Sequence, residues 1–157
     1  MAEKVQLGWR EWLSLPALGV PALKAKVDTG ARTSALHVFE LGTCYEHGRR
    51  LAVFRLHPLQ KRTDIVVECK AEMVDERWVR NPGGQLECRP VIITPMRIGT
   101  LEWSIEITLT NRDDMLFRML LGRTALAGRC LIDPAYSYLQ GRRCPYDYDR
   151  SGIPVPS

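Results

Sequence analysis

The sequence predicts a mostly-β fold, and three stretches carry this prediction. Residues 23–27 alternate apolar side chains with lysines, and residues 101–109 alternate Leu, Trp and Ile with polar neighbours. Such alternation is typical of a strand with one buried face. Between them, residues 34–59 contain two apolar runs on either side of Glu46-His47-Gly48, a pattern that indicates a β-hairpin.

Length and composition bound the class of protein. The chain has 157 residues, 45% of them hydrophobic and 25% charged, which suits a single globular domain over residues 1–157. No apolar run suits a signal peptide or a membrane span, so we expect a soluble cytoplasmic protein. The five cysteines form no C-x-x-C pair and are predicted to be free thiols. A net charge of +4 without a concentrated basic patch argues against a nucleic-acid partner.

The remaining strands are predicted from apolar runs and from the proline, glycine and polar residues that interrupt them. Leu7–Pro21 is interrupted by Pro16 and Gly19 and is predicted to be an edge segment. Further strands are predicted, in chain order, at Ile65–Ala71, Pro90–Pro95, Leu101–Thr110 and Cys130–Asp133. The tail 141–157, which contains three prolines, is predicted to be irregular.

The strand at residues 23–27 ends at Asp28, and the chain then turns. Thr29 supplies a hydroxyl that can brace the turn, and Gly30 can take a positive φ, which a tight reversal around a carboxylate requires. On its own this tripeptide is also consistent with an ordinary Asx-turn at the end of a strand. A second segment is needed to give it a functional meaning.

That second segment is Met119–Leu126, with the sequence MLLGRTAL. Its apolar residues predict a strand that runs into Gly122 and then a short helix for which Thr124 is the expected N-cap. Gly122 has two interpretations, a glycine that allows close passage beneath a site or a glycine at a helix entry.

The two segments together resemble the retropepsin-like aspartic peptidases, in which an apolar-apolar-Gly-Arg segment passes beneath a strand-ending Asp-Thr-Gly-Ala turn. Residues 15–37, 107–126 and 131–139 are further similar to a bacterial retropepsin-like family that carries the label of ATP-dependent zinc protease. The resemblance covers nearly the whole chain. It implies a closed β-barrel with a short helix after the Gly-Arg motif.

The resemblance also implies an aspartic peptidase that is built as a homodimer. Two carboxylates must share one proton, so that one acts as base toward water while the other polarises the carbonyl. This chain has one Asp-Thr-Gly, so each protomer would contribute Asp28. Thr29 would brace the two turns and Gly30 would admit the scissile backbone. Gly122 and Arg123 would support the site, and the open candidates for the acid that holds Arg123 are Asp113, Asp114 and Asp133.

Asp75–Arg89 contains the turn Asn81-Pro82-Gly83-Gly84 between polar segments and is predicted to be an exposed hairpin arm. In the resembled fold such an arm is a flap that closes over bound peptide, and Gly83 and Gly84 would let its backbone approach the substrate. The alternative is an ordinary surface hairpin.

Several arginines lie near the predicted site. Ala31 and Arg32 directly follow the turn, and three more arginines lie on or beside the hairpin arm: Arg77, Arg80 and Arg89. Guanidinium groups bind carboxylates bidentately, so these positions are predicted to contact an acidic peptide. The resembled family is associated with ligases that append glutamates to proteins, which implies α-glutamyl peptide tails as substrate. The alternative is that the arginines form a solvated surface.

The sequence leaves two alternatives to an aspartic peptidase. A zinc-dependent peptidase is disfavoured because the chain lacks H-E-x-x-H, and His37, His47 and His57 do not share ligand spacing with an acid. No P-loop is present, so no metal or cofactor is predicted. A non-catalytic module that binds extended peptide by strand addition remains the main alternative to the peptidase.

Overall fold

The computed structural model describes residues 4–80, 83–112 and 114–141. Most of them lie in strands, as predicted. The strands are β1 (Val5–Leu7), β2 (Arg10–Leu15), β3 (Val20–Val27), β4 (Ser34–Val38), β5 (Glu40–Glu46), β6 (Arg49–Leu56), β7 (Val67–Arg80), β8 (Leu86–Ile98), β9 (Leu101–Asn111), β10 (Met119–Leu121) and β11 (Cys130–Ile132). The helices are a 3₁₀ turn at Pro16–Leu18 and the short helix α1 at Arg123–Leu126.

Six strands form a closed barrel in the order β2-β3-β10-β4-β9-β8, which closes where Ser14 of β2 pairs with Arg97 of β8. The sheet then extends beyond β8 through β7 and β6 to β5, and β1 pairs with β11 in a separate parallel sheet. The predicted barrel is therefore confirmed. The prediction of an edge segment at Leu7–Pro21 is wrong, because β2 has a strand on either side.

The alternation in the sequence corresponds to the inner and outer faces of the barrel. Ile105, Ile107 and Leu109 of β9 are buried in the core, as are Leu36 and other apolar residues of neighbouring strands. Burying these side chains on one face fixes the register, since a shift by one residue would turn every one of them outward. Leu101, at the start of the same pattern, is exposed.

The two predicted hairpins differ from the observed ones in extent. The turn at His47-Gly48 is confirmed, with both residues at positive φ, but the hairpin joins β5 to β6, and β4 belongs to the barrel. β7 continues to Arg80, well past the predicted end at Ala71. Its polar residues are compatible with a strand because they are largely exposed or paired across strands, as in the ion pair of Arg50 with Glu76 at 2.7 Å.

The arm at Asp75–Arg89 is thus the far end of two long strands and not a separate hairpin. Gly83 and Gly84 near its tip are exposed, and Gly84 has a φ of +82°. Asn81 and Pro82 of the predicted turn lie outside the described residues, as do residues 142–157, which make up nearly all of the predicted irregular tail.

Buried Glu11 fixes the segment that follows β11. Its carboxylate accepts hydrogen bonds from the backbone N–H groups of Gly8 at 2.7 Å, Leu139 at 3.0 Å and Gln140 at 3.0 Å. Three N–H donors satisfy much of the hydrogen-bonding capacity of a carboxylate that is fully buried. The chain from β11 to residue 141 is therefore attached to the N-terminal strands.

The connection from β10 to α1 passes directly across the start of β4. A Cβ added to buried Gly122 would lie 2.5 Å from the carbonyl carbon of Thr33 and 2.9 Å from the nitrogen of Ser34. Gly122 has extended dihedral angles and occupies the N-cap position of α1, so the prediction of Thr124 as N-cap is wrong. Residue 122 must be glycine because a side chain there would collide with the backbone of Thr33 and Ser34. Its dihedral angles alone would allow other residues.

We therefore predict that Gly122→Ala destabilises the protein. The backbone angles of Gly122 suit alanine, but the new methyl group meets backbone atoms that cannot move aside, and overpacking of this kind costs about 1–3 kcal/mol. Urea unfolding measures the difference in the free energy of unfolding.

The matched control is Gly42→Ala. Gly42 lies in exposed β5 with no atom within 4 Å of an added Cβ, so this change should stay within about 0.5 kcal/mol of wild type. Equal stability of the two variants would contradict the close passage at Gly122.

Candidate active site

Asp28 lies at the end of β3 in a tight turn. Its backbone N–H donates to the carbonyl of Leu121 at 2.8 Å, and its Oδ1 accepts a hydrogen bond from the N–H of Gly30 at 3.1 Å. The side chain of Asp28 is half-buried, while Thr29 and Gly30 are exposed. An Asx-type turn is present, and it holds a carboxylate that an external molecule can reach. The expected positive φ at Gly30 is wrong, because the turn forms without it.

The segment from Gly122 to Thr124 holds this turn from below. The backbone N–H groups of Arg123 and Thr124 donate to the carbonyls of Ala31 at 2.8 Å and Arg32 at 3.0 Å. The N–H of Gly122 donates to the hydroxyl of Ser34 at 3.0 Å. The turn is thus hydrogen-bonded along most of its length, which fixes where the Asp28 carboxylate lies.

The side chain of Arg123 also supports the turn. Its Nη1 donates to the carbonyl oxygens of Thr29 at 3.0 Å and Gly30 at 3.1 Å. Of the candidate acids, Asp114 accepts from Arg112 and Asp133 accepts from the N–H of Ala135. Asp113 lies outside the described residues. The described partners of the Arg123 guanidinium are therefore carbonyl oxygens.

Arg77 connects the hairpin arm to the segment after the turn. Its Nη1 donates to the hydroxyls of Thr33 at 3.1 Å and Thr108 at 3.4 Å, and its Nη2 forms an ion pair with Glu106 at 2.6 Å. The structure therefore places Arg77 beside the site, with its guanidinium already occupied by groups of this chain.

The other three arginines lie in different surroundings. Arg80 donates to the carbonyl of Gly84 within the arm, and Arg89 lies 3.7 Å from Glu87. Arg32 is exposed, and its guanidinium has no ion pair or hydrogen bond among the described residues. Arg32 is thus the candidate whose side chain is available to a ligand next to the turn.

Three further residues of this region, Ser34, Glu106 and Thr108, were not predicted. They come close to Gly122 and Arg77 because β4 pairs in parallel with β9, with Ser34 opposite Ile107 and Ala35 opposite Thr108. A parallel pairing between segments more than 70 residues apart leaves no local pattern in the sequence. Their hydrogen bonds to Gly122 and Arg77 could be found only from the tertiary structure.

Comparison with known proteins gives consistent results. The family model of the RimB-like family, described as retropepsin-like aspartic endopeptidase RimB, matches residues 6–143. A probable alpha-L-glutamate ligase of Shewanella halifaxensis is 41% identical over 140 residues, which are 89% of this chain and 31% of that protein. A probable alpha-L-glutamate ligase of Parasynechococcus marenigrum is 45% identical over 164 residues, covering 99% of this chain and 35% of that protein.

Among solved structures, Lpg0085 from Legionella pneumophila, a protein of unknown function, matches with a TM-score of 0.73 and 26% identity. The match covers 88% of this chain and 99% of that one. The chain spans about a third of the length of the ligase relatives. The family match covers the barrel, the Asp28 turn and the segment beneath it, and the chain therefore belongs to the RimB-like family of retropepsin-like proteins.

Proposed function

We propose that this protein is an aspartic peptidase that hydrolyses peptide bonds with the Asp28 carboxylate. The observation that carries the proposal is the turn itself, in which the reachable Asp28 carboxylate accepts a hydrogen bond from the N–H of Gly30 and the backbone N–H of Asp28 donates to the carbonyl of Leu121. Fixing a reacting group in this way reduces the reorganisation needed during the reaction. The match to the RimB-like family supports the same chemistry.

The active enzyme is proposed to be a homodimer. Amide hydrolysis by carboxylates needs two of them sharing one proton, and the chain has a single Asp-Thr-Gly. One Asp28 takes a proton from water as the water oxygen attacks the carbonyl carbon, while the protonated Asp28 of the second protomer polarises the carbonyl. Transfer of a proton to the amide nitrogen then breaks the C–N bond and releases an amine and a carboxylate.

The other predicted residues have supporting roles in this proposal. Thr29 braces the paired turns, and the backbone of Gly30 and Ala31 borders the scissile bond. The arm formed by β7 and β8 acts as a flap, with Gly83 and Gly84 approaching the substrate. The attachment of this arm to Thr33 through Arg77 supports its position near the site.

An acidic, α-glutamyl peptide tail is the proposed substrate. The relatives are named probable alpha-L-glutamate ligases, and the ligase chemistry forms the class of bond that this peptidase would cleave. The free guanidinium of Arg32 beside the turn suits a glutamate side chain. An enzyme of this kind would act after a ligase that adds glutamate residues to a protein.

A peptide-binding module is the second candidate. Among the described residues β5 is at the end of the nine-strand order and pairs only with β6, so its other edge could take an added strand. This alternative needs neither a dimer nor paired carboxylates.

For the zinc-dependent peptidase, no group of three His, Cys, Asp or Glu side chains in the described part of the chain is placed to hold a metal ion. No helix among the described residues is long and apolar enough to cross a membrane.

We predict that Asp28→Asn abolishes hydrolysis of an oligoglutamate peptide. The amide keeps the shape of the side chain and its hydrogen bond from Gly30, but it cannot exchange a proton with its partner. Loss of this proton transfer should lower kcat by a factor of at least about 10²–10⁴. Cleavage is followed by mass spectrometry, and the dimer by sedimentation in the ultracentrifuge.

Wild-type protein treated with a chelator is the matched control and should keep full activity. Chelator-sensitive cleavage that zinc restores would overturn the proposal in favour of a metallopeptidase. A wild-type monomer that binds peptide without cleaving it would favour the binding module.

A further prediction concerns selectivity and Arg32. Removing a charge-assisted hydrogen bond of about 1.5 kcal/mol should lower kcat/KM for a glutamate-rich peptide about tenfold in Arg32→Ala. A peptide of the same length with glutamine in place of glutamate should change little.

Arg49→Ala is the control, since Arg49 is exposed on the β5–β6 hairpin and is paired with Glu72 at 3.3 Å. An unchanged ratio of kcat/KM for the two peptides in Arg32→Ala would remove Arg32 from substrate recognition.

A further inference from the structure

Arg77 of β7 joins the arm to the barrel through a single guanidinium group. Its Nη1 donates to the hydroxyls of Thr33 at 3.1 Å and Thr108 at 3.4 Å, and its Nη2 donates to the carboxylate of Glu106 at 2.6 Å. β8 lies between β7 and β9, so the side chain of Arg77 extends across β8 to reach Thr108 and Glu106. One nitrogen of the guanidinium is thus held by hydroxyls and another by a carboxylate.

The Glu106 side of this group is open to solvent, while the Thr108 side is closed. Alternate residues of a strand share a face, so Glu106, Thr108 and Thr110 lie on one side of β9. Thr108 and Thr110 are buried, whereas the side chains of Glu106 and Arg77 are 37% and 34% exposed. Ile93, directly opposite Glu106 on β8, is 57% exposed. A peptide side chain can therefore reach the Arg77–Glu106 pair from the side of Ile93.

The Arg77–Glu106 pair lies beside the segment that follows the Asp28 turn. Ser34 of β4 is opposite Ile107 of β9, which brings the preceding residues of the two strands, Thr33 and Glu106, close to each other. Arg77 contacts both of them. The pair is thus in the region where the proposed acidic peptide would lie.

The contact of Arg77 with Glu106 can be exchanged for a contact with a ligand. An ion pair between partly exposed side chains is weak, because water competes for both charges. A carboxylate from a bound peptide can therefore take the place of Glu106. The hydroxyls of Thr33 and Thr108 keep the guanidinium in position during this exchange, so the ligand does not have to order the side chain of Arg77.

We propose that Glu106 is an internal competitor for Arg77, and that it occupies the place which a glutamate side chain of the substrate takes on binding. In the free protein Nη2 of Arg77 pairs with Glu106. In the complex Nη2 pairs with the substrate carboxylate, while Nη1 stays on the two threonines. The apparent affinity for an acidic peptide is then reduced to the fraction of molecules in which the Arg77–Glu106 pair is open.

Glu106 is by this inference a specificity-determining residue that the sequence did not reveal. It sets how strongly an acidic peptide is preferred over a neutral one, because a neutral side chain does not compete for the guanidinium. The inference rests on the proposed function for the identity of the peptide. The contacts and the exposure of the pair are independent of catalysis.

Two simpler roles for Glu106 lead to different results. If Glu106 only repels an acidic peptide, removing its charge improves binding whether or not Arg77 is present. If Glu106 only holds the arm, removing its charge weakens the binding of acidic and neutral peptides alike. A double-mutant cycle with Arg77 separates these roles from internal competition.

The test measures the binding of hexaglutamate and hexaglutamine by calorimetry, in protein that carries Asp28→Asn so that catalysis does not interfere. Glu106→Gln keeps the size of the side chain and removes its charge. It should tighten hexaglutamate binding about threefold to fivefold, as expected for release of a partly exposed ion pair, and leave hexaglutamine binding unchanged. Arg77→Gln should weaken hexaglutamate binding about fivefold. In the Arg77→Gln background, Glu106→Gln should have no further effect.

Glu102→Gln is the matched control. Glu102 lies on the same strand and the same face as Glu106, and it is paired with Arg97 of β8 at 3.4 Å. The change removes the same charge from an ion pair in which Arg77 has no part. Hexaglutamate binding should therefore stay close to that of the parent protein.

Three results would overturn the internal competition. The first is an equal effect of Glu106→Gln and Glu102→Gln, or an effect of Glu106→Gln that persists without Arg77. The second is weaker binding of both peptides with a lower melting temperature in Glu106→Gln, which would make the residue structural. The third is the absence of hexaglutamate binding to the parent protein.

The role of Glu106 and the proposed peptidase can fail separately. If wild type cleaves neither peptide but the cycle shows the expected coupling between Glu106 and Arg77, the peptidase fails and the role of Glu106 stands. If wild type cleaves hexaglutamate but Glu106→Gln does not tighten its binding, the peptidase stands and the role of Glu106 fails.

Discussion

The structure depends on the crossing of two segments, the turn after β3 and the connection from β10 to α1. β10 lies between β3 and β4 and so completes the barrel, and the residues that follow it donate to the carbonyls of Ala31 and Arg32. Residues 119–124 therefore both link β3 to β4 within the barrel and position Asp28. Because Gly122 passes within contact distance of the Thr33 backbone, a side chain at residue 122 would collide with it.

Hydrogen bonds from polar side chains connect this crossing to the rest of the sheet. Arg123 supports the turn from one side, and Arg77 attaches the arm of β7 and β8 to Thr33 and to β9. Both guanidinium groups are used on atoms of the chain itself. Groups that are already satisfied in this way stabilise the fold, whereas buried polar atoms without a partner among the described residues, such as those of His37 and Arg89, reduce its stability.

Much of this could be predicted from the sequence where the signal is local. The alternation at residues 101–109, the turn at His47-Gly48 and the strand entering Gly122 each occupy a short window and were found. The failures arise where pairing is set by distant segments. β2 looked like an edge because its closure with β8 involves a residue 83 positions away, and the N-cap assigned to Thr124 ignored the backbone of β4 that Gly122 must cross.

The arginines illustrate why residue type and proximity in sequence do not determine a role. Four of them were predicted to contact an acidic substrate, and the sequence treats them alike. In the fold, Arg77 has three acceptors from the chain, Arg80 has a carbonyl within its own hairpin, and Arg32 has no partner among the described residues. A guanidinium that is already paired must break those contacts to bind a ligand, so its contribution to affinity is reduced by their loss. The electrostatic attraction of the site for an anion therefore depends on how many acceptors the fold gives each arginine, more than on the net charge of +4.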